Sequence, residues 1–246
     1  MATIFIQKKK ENNIIILYTI HGIALGPGDP ELLTLKALRI LKESDVIFYP
    51  GSITKDQKKS FVYPILRYHG LENKELKGFF LKMSNDRKEA SETYNATVQD
   101  INEAYNLGKK IAIVCEGDIS LYASFSYLLL QLQELQLPVS LVPGINSFSL
   151  GAAQHQIPLS LLNDKIAIIP RVKNIEEIAH YFDTFDTVIL MKIRSGWNTF
   201  QSELLEKDWN CYYCERLGTD QEYITTDLTT LTTREIPYFS LLIIKK

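Results

Sequence analysis

Residues 21–37 read HGIALGPGDPELLTLKA, and each residue type there has a physical task. Gly26 and Gly28 let the backbone turn sharply and leave room for a ligand to approach. Pro27 stiffens the turn between them. Asp29 is suited to cap a helix through its carboxylate, and Pro30 tolerates the first helical position because its missing N–H costs nothing there. Glu31 follows in the positive first turn. An apolar strand, a tight glycine loop and a capped helix make a ligand-binding corner of an α/β sheet. The spacing lacks the third glycine of G-x-G-x-x-G, and Pro27 removes an amide that would hold a phosphate, so a diphosphate is a poor ligand for it. A strand-to-helix turn with no ligand is the competing reading.

Two further loops carry similar residue types: Glu116-Gly117-Asp118 and Val142-Pro143-Gly144. Cys211-x-x-Cys214 has half the spacing of a zinc site or a redox pair, but it falls in a strand pattern, where residues three apart face opposite sides. Structural cysteines are the better reading. His21, His69, His155 and His180 show no metal-ligand spacing, so no protein-bound metal is expected.

Alternating elements must position these loops. Residues 14–25 read mostly as strand, and 1–12 as a solvated extension. The spacing of apolar residues predicts a helix over 30–42. Residues 45–49 read as a strand stopped by Pro50 and Gly51. From 52 to 77 the pattern is loop, with one short helix near 63–68. Residues 84–107 form a long helix ended by Gly108, and 110–115 a strand covered on both faces. Helix over 121–135, strand over 139–142 and helix over 147–154 follow. After a linker at 158–162 the pattern restarts: strand 165–169, helix 174–182, strand 187–191, helix 197–205, strand 211–215. Thr-rich runs over 224–233 and a strand over 238–244 end the chain. The expected architecture is an N-terminal α/β domain over 13–157 with a mainly parallel sheet, and a C-terminal α/β domain over 158–246.

Composition excludes several classes. With 46% hydrophobic and 23% charged residues in 246, the chain is an ordinary globular protein. A net charge of −2 gives no global attraction to nucleic acid or anionic membrane. Three cysteines make no disulfide framework and suit a reducing cytoplasm. Lys8–Lys10 ahead of the apolar run 14–20 resembles a secretory signal only loosely: the run is too short to span a membrane, and the glycine loop follows in place of a cleavage site.

The glycine corner, Glu116-Gly117-Asp118 and Val142-Pro143-Gly144 together resemble the tetrapyrrole methylase family, from about Gly22 onward. Within it, EGDISLYASFSYL (116–128), VPGINSFSLGAA (142–153), and Phe80-Leu81-Lys82-Met83 followed by Asp86 are most similar to the precorrin-2 C-20 methyltransferases of cobalamin synthesis, cobalt-precorrin-2 relatives included. The resemblance implies two α/β domains with the active site in the cleft between them, S-adenosylmethionine as methyl donor, S-adenosylhomocysteine as product, and a cytoplasmic homodimer. It implies donor contacts from Pro27, from Gly117, Asp118 and Ile119, and from Leu121 and Tyr122 at the start of the next helix. Asn146 and Ser147, Met191, and Leu217 with Gly218 complete that set. Ile119 departs from the proline usual there, which leaves φ less fixed.

Methyl transfer from a sulfonium is an in-line displacement that needs positioning and water exclusion, not an acidic nucleophile or a metal. Any cobalt would arrive inside the substrate. Asp118, Glu116 and Tyr122 are the candidates for receiving the proton lost; helix capping by Asp118 is the alternative. A polycarboxylate substrate needs local positive charge, for which Lys82, Arg87 and Lys88, Arg171 and Lys173, and Lys192 and Arg194 are the candidates. Another corrin position, uroporphyrinogen III or a macromolecule stays open as acceptor, and so does a module that binds the donor without turnover.

Overall fold

The computed structural model describes residues 6–10, 13–54, 57–82 and 87–246. The chain divides into two compact units, residues 1–145 and 146–246. The first contains β1 (Ile6–Lys10), β2 (Asn13–Leu17), β3 (Ile20–Ala24), α1 (Leu35–Glu43), β4 (Val46–Thr54), β5 (Gln57–Lys59), α2 (Tyr63–Tyr68), β6 (Glu75–Lys82), α3 (Arg87–Asn106), β7 (Ile111–Cys115), α4 (Phe125–Glu134) and β8 (Val139–Val142). The second contains α5 (Ser147–Gln154), β9 (Ile166–Pro170), α6 (Ile175–Tyr181), β10 (Thr187–Met191), α7 (Trp197–Leu205), β11 (Asn210–Glu215), β12 (Tyr223–Thr225) and β13 (Ser240–Lys245).

In the first unit the sheet order is β5-β4-β7-β3-β8, with β6 beside β4. Strands β3, β4, β6, β7 and β8 are parallel and only β5 is antiparallel. Alternate side chains feed two cores. Ile20, Phe48, Ile111 and Ile113 pack with Ile101 of α3 and Phe125, Leu128 and Leu132 of α4. Ile23, Ile47, Ala112 and Val114 pack with Ile40 and Leu41 of α1 and Ile65 and Leu66 of α2. Every residue of β7 is therefore buried, the mark of a parallel strand covered on both faces.

The second sheet runs β12-β11-β13-β10-β9. Strands β9 and β10 are parallel, and β13 lies antiparallel between β10 and β11. Val188, Leu190 and Tyr213 pack with Ile178, Trp197 and Phe200 on one face; Ile189, Cys214 and Ile243 pack with Ala152 of α5 on the other.

Five departures from the expected elements bear on the site's framework. Residues 6–10, expected as solvated extension, pair antiparallel with β2. The helix expected from Pro30 begins at Leu35: Pro30–Leu32 is one 3-10 turn, Leu33 is extended, and the Thr34 hydroxyl caps α1 by accepting from the Ala37 amide at 3.2 Å. Strand β4 does not stop at Pro50-Gly51. Its ladder to β7 covers only Val46–Phe48, so beyond it the proline interrupts no ladder on that flank, while β6 pairs with β4 as far as Ile53. Strand β5 and the first three residues of β6 occupy what reads as loop over 52–77. Last, α5 belongs to the second unit, ahead of the expected linker. The bare Gly151 lets it approach β11: a Cβ there would stand 2.9 Å from the Cys214 sulfur.

Candidate active site

Three loops leave the carboxyl ends of β3, β7 and β8, the end of a parallel sheet where ligand sites form. The first two are stitched together by backbone. Gly26 and Gly117 form an isolated antiparallel bridge, with Gly26 N–H donating to Gly117 O at 3.1 Å and Gly117 N–H to Gly26 O at 2.7 Å. Both glycines have positive φ, +81° and +64°, a conformation that costs a side-chain-bearing residue about 1–2 kcal/mol. Pro27 between Gly26 and Gly28 is buried. Asp29 caps the 3-10 turn as expected, accepting from the Glu31 amide at 2.8 Å.

The second and third loops are joined through Asp118. One carboxylate oxygen accepts the Gly144 N–H at 2.9 Å; the other accepts the Ser120 N–H at 2.9 Å and the Ser120 hydroxyl. Burial alone pushes this carboxyl up, but the Ser120 hydroxyl and the amides of Gly144, Ser120 and Ile119 outweigh it and hold Asp118 below the usual carboxylate range. Asp118 therefore does not cap the following helix, and an ionised carboxylate with both oxygens engaged is a weak base. Gly144 carries a signal the sequence reading did not use. A Cβ there would stand 2.7 Å from Ala24 Cβ and 2.8 Å from Gly117 O, so only glycine lets the three loops close.

Leu121 and Tyr122 do not begin a helix. The Asp118–Ser120 turn and a left-handed Tyr122 (φ 53°) delay α4 to Phe125. Tyr122 is exposed at 42%, Leu121 and Glu116 are half-buried, and Ile119 is buried. The Ile119 side chain fills space beside Gly22 and belongs to the core with Phe125, so the loop offers a ligand only this residue's backbone. Gly117 differs: a Cβ built on it meets nothing within 4 Å, so the backbone there borders open space.

In the second unit the selected residues again lie at carboxyl strand ends. Met191 closes β10 opposite Pro170, and Arg171 N–H donates to Met191 O at 3.0 Å. Arg171 and Lys192 both turn the chain in left-handed conformations (φ 56° and 57°). Leu217 and Met191 contribute to one apolar cluster with Leu241 and Ile243. Gly218 (φ 73°) donates its N–H to the Glu222 carboxylate at 2.6 Å. Asn146 precedes α5 in extended conformation without a side-chain cap, and Ser147 opens that helix.

The cationic candidates divide. Lys82, the last residue of β6, is ion-paired with Glu89 at 2.8 Å, and Arg194 with Glu235 at 3.2 Å. Arg87 opens α3; Lys88 follows, exposed. Arg171 and Lys173 are exposed and Lys192 is half-buried. Met83 and Asp86 lie outside the described residues.

The cysteine pair behaves as strand geometry requires. Cys211 faces one core and Cys214 the other, and burial pushes each thiol up to about 12. Among the described residues no group of three His, Cys, Asp or Glu side chains is placed to hold a metal, and no helix is long and apolar enough to cross a membrane.

Parallel-strand loops in two α/β units define a fold also seen in solved methyltransferases. A Thermus thermophilus uroporphyrin-III C-methyltransferase, solved with S-adenosylhomocysteine, superposes with a TM-score of 0.63 at 22% identity over 93% of this chain and 97% of that one. A cobalt precorrin-4 methyltransferase gives 0.67 at 17% identity over 92% and 94%. The family model for tetrapyrrole (corrin/porphyrin) methylases matches residues 19–232, and the chain belongs to that family. A probable cobalt-precorrin-2 C(20)-methyltransferase of Methanocaldococcus jannaschii is 34% identical over 72% of this chain and 73% of its own. The Salmonella typhimurium cobalt-precorrin-2 C(20)-methyltransferase is 28% identical over 71% and 72%.

Proposed function

We propose that this protein is an S-adenosylmethionine-dependent C-methyltransferase acting on C-20 of precorrin-2 or cobalt-precorrin-2 in cobalamin biosynthesis. The observation that carries the reading is the stitched Gly26–Gly117 corner, closed by Asp118 on Gly144, in a chain 34% identical to a relative so named. The open space at Gly117 fits a donor whose methionine part lies against backbone there.

When bound, S-adenosylmethionine supplies an electrophilic methyl group on a sulfonium. The chain's residues position and exclude water. Pro27, Gly117, Asp118, Ile119, Leu121 and Tyr122 on the first unit, and Asn146, Ser147, Met191, Leu217 and Gly218 on the second, are proposed for the donor, Ile119 through its backbone. The acceptor is an electron-rich ring carbon, so attack needs no prior proton removal. Asp118 acts as a loop tie, which leaves Glu116 and Tyr122 as the loop's candidates for receiving the proton released afterwards. The reading is completed by a homodimer in the cytoplasm; light scattering that returns a monomer at every working concentration removes the dimer.

Mass spectrometry of anaerobic incubations with the donor and precorrin-2, with and without pre-inserted cobalt, tests the reaction. A gain of one methyl group in one arm assigns the substrate form, and carbon-13 labelling maps its position to C-20. No gain in either arm, from protein that still binds S-adenosylhomocysteine, transfers the reading to another acceptor or to a binding module.

A further inference from the structure

Strands β4 and β6 continue along the carboxyl end of the first sheet after the ladder to β7 has stopped at Phe48↔Ile113, pairing on to Ile53↔Lys82. With β5 folded back on β4 they form a three-stranded ribbon at the end of the sheet from which the glycine loops leave. Registered partners in a sheet share a face, so Tyr49, Gly51, Gly78, Phe80 and Lys58 lie on one side of this ribbon.

That side has an unusual construction. The Phe80 ring lies directly over two bare glycines: a Cβ at Gly51 or at Gly78 would stand 2.5 Å from it. Tyr49 meets Phe80 edge-on at 5.9 Å between centroids, and Tyr63 tilts against Tyr49 at 5.7 Å. All three rings are half-buried, so each keeps part of its surface in water. The exposed Lys58 holds its ammonium 5.0 Å from the Phe80 centroid, and Lys59, also exposed, follows it on β5. A lysine resting on a ring is held more narrowly than one in free solution. Glycines inside strands weaken them, and they recur where another group approaches the backbone closely; here they seat the ring that anchors the platform.

We propose that this aromatic face, with Lys58 as its fixed cation, receives the polycarboxylate macrocycle of the acceptor: one peripheral carboxylate on the Lys58 ammonium, the ring system against Tyr49, Tyr63 and Phe80. The assignment rests on the methyltransferase reading above; it gives a substrate role to Phe80 of the segment that carries the resemblance, and adds Tyr49, Tyr63 and Lys58, which the sequence did not single out. Charge favours it, because a protein of net charge −2 needs a localised cation to hold a polyanion, and Lys82 at the end of the same ribbon is engaged by Glu89. Shape favours it too, because rings give planar ligands a contact area that lysine alone does not.

The test is fluorescence titration of the intact protein with uroporphyrin III, a stable planar octacarboxylate, alongside calorimetric titration with S-adenosylhomocysteine. Lys58→Glu changes an exposed side chain, so the fold survives, which the thermal melt verifies. The expected result is a tenfold or greater loss of uroporphyrin affinity with S-adenosylhomocysteine affinity unchanged, and a loss of similar direction for Phe80→Leu. Uroporphyrin affinities within twofold of wild type for both variants overturn the platform and leave the methyltransferase reading standing. An equal loss of both ligands in Lys58→Glu also overturns it, because the lesion is then not confined to the ribbon. Tighter binding of a single-stranded oligonucleotide than of uroporphyrin, abolished by Lys58→Glu, replaces the macrocycle with a nucleic acid. A wild-type protein that binds neither uroporphyrin nor S-adenosylhomocysteine removes the methyltransferase reading and the platform with it.

Discussion

Asp118 accepts the backbone N–H of Gly144, 26 residues further along the chain, at 2.9 Å. The bond ties the loop after β7 to the loop after β8, and Gly26–Gly117 ties the loop after β7 to the loop after β3. Three loops from three strands thus act as one unit whose parts are set by two short contacts. Asp118→Asn keeps the shape but turns one acceptor oxygen into a donor facing a donor. The expected cost is about 2 kcal/mol of folding stability, the scale of hydrogen bonds to a charged group. Weaker S-adenosylhomocysteine binding should accompany it. Urea denaturation and calorimetry check the two effects separately.

The same residue predicts a pH dependence. Its carboxyl is lower in the folded protein than in the unfolded chain, so the unfolded state binds the proton more readily. The stabilisation is therefore complete above the ordinary carboxylate value and is lost as pH falls through the folded one. Stability measured across the acid range should fall less steeply in Asp118→Asn than in wild type. Superimposable curves would remove Asp118 as a stabilising carboxylate.

Gly117→Arg tests where the donor lies. The position has open space ahead of it, so the added side chain meets no protein atom at Cβ. The backbone cost of a residue at φ +64° is about 1–2 kcal/mol, which a folded domain survives. Titration heat for S-adenosylhomocysteine should vanish while the thermal melt stays cooperative. Unchanged heats would refute this location.

These positions differ in how far the sequence reveals them. The Gly26–Asp29 turn is legible because its signals are local: φ-permissive glycines, a fixed proline and a capping carboxylate within a few residues. The buried β7 and β10 are legible from continuous apolar runs. Asp118 is ambiguous from sequence because its deciding partner is distant, and a capping aspartate and a loop-tying one have the same local neighbours. Leu121 and Tyr122 read as helical because apolar spacing does not register the Ser120 turn that delays α4. Strand β6 is hidden for a related reason. Its residues Glu75–Lys82 alternate only weakly, since Lys77 holds its ammonium over the Phe48 ring at 5.7 Å from the centroid and Gly78 adds no side chain, and pairing with β4 alone decides the state. The Phe80 platform follows from that pairing, so no local pattern announces it.

The cysteines give a chemical prediction. Cys211 and Cys214 are buried on opposite faces of β11 with thiols pushed up to about 12, and burial pushes Cys115 up as well. The thiolate is the reactive form, so all three should resist an aromatic disulfide reagent at neutral pH until the chain unfolds. Labelling in denaturant should then reveal three thiols together. Rapid labelling of a Cys211–Cys214 pair in native protein, or bound zinc by elemental analysis, would contradict the structural role.

Arg234 carries the largest predicted stability effect. Glu215, 1% exposed at the end of β11, accepts from Arg234 Nη2 at 2.5 Å and Nε at 3.1 Å and from the Tyr213 hydroxyl at 2.6 Å. Burial pushes Glu215 up, but the Arg234 and Tyr213 hydrogen bonds and the two nearby guanidiniums outweigh it and hold the carboxyl below its ordinary range. Arg234 also stacks on Tyr223 at 4.2 Å, so one side chain links β11, β12 and the segment leading to β13. Arg234→Ala strands a buried carboxylate, a change that costs about 3–5 kcal/mol when fully buried and less here because the guanidinium side is partly in water. A loss of about 2–3 kcal/mol is expected in urea denaturation, on the same scale. Arg234→Lys should recover only part of it, because an ammonium replaces the two-pronged contact with a single one. The sign of the pH effect follows from the lowered carboxyl: the contribution is present above the unfolded carboxylate value and disappears as pH falls through the folded one. Leu217 and Gly218 directly follow this cluster, so Arg234→Ala should also weaken S-adenosylhomocysteine binding. An unaltered affinity in a destabilised variant would show that the cluster supports the sheet without setting the loop.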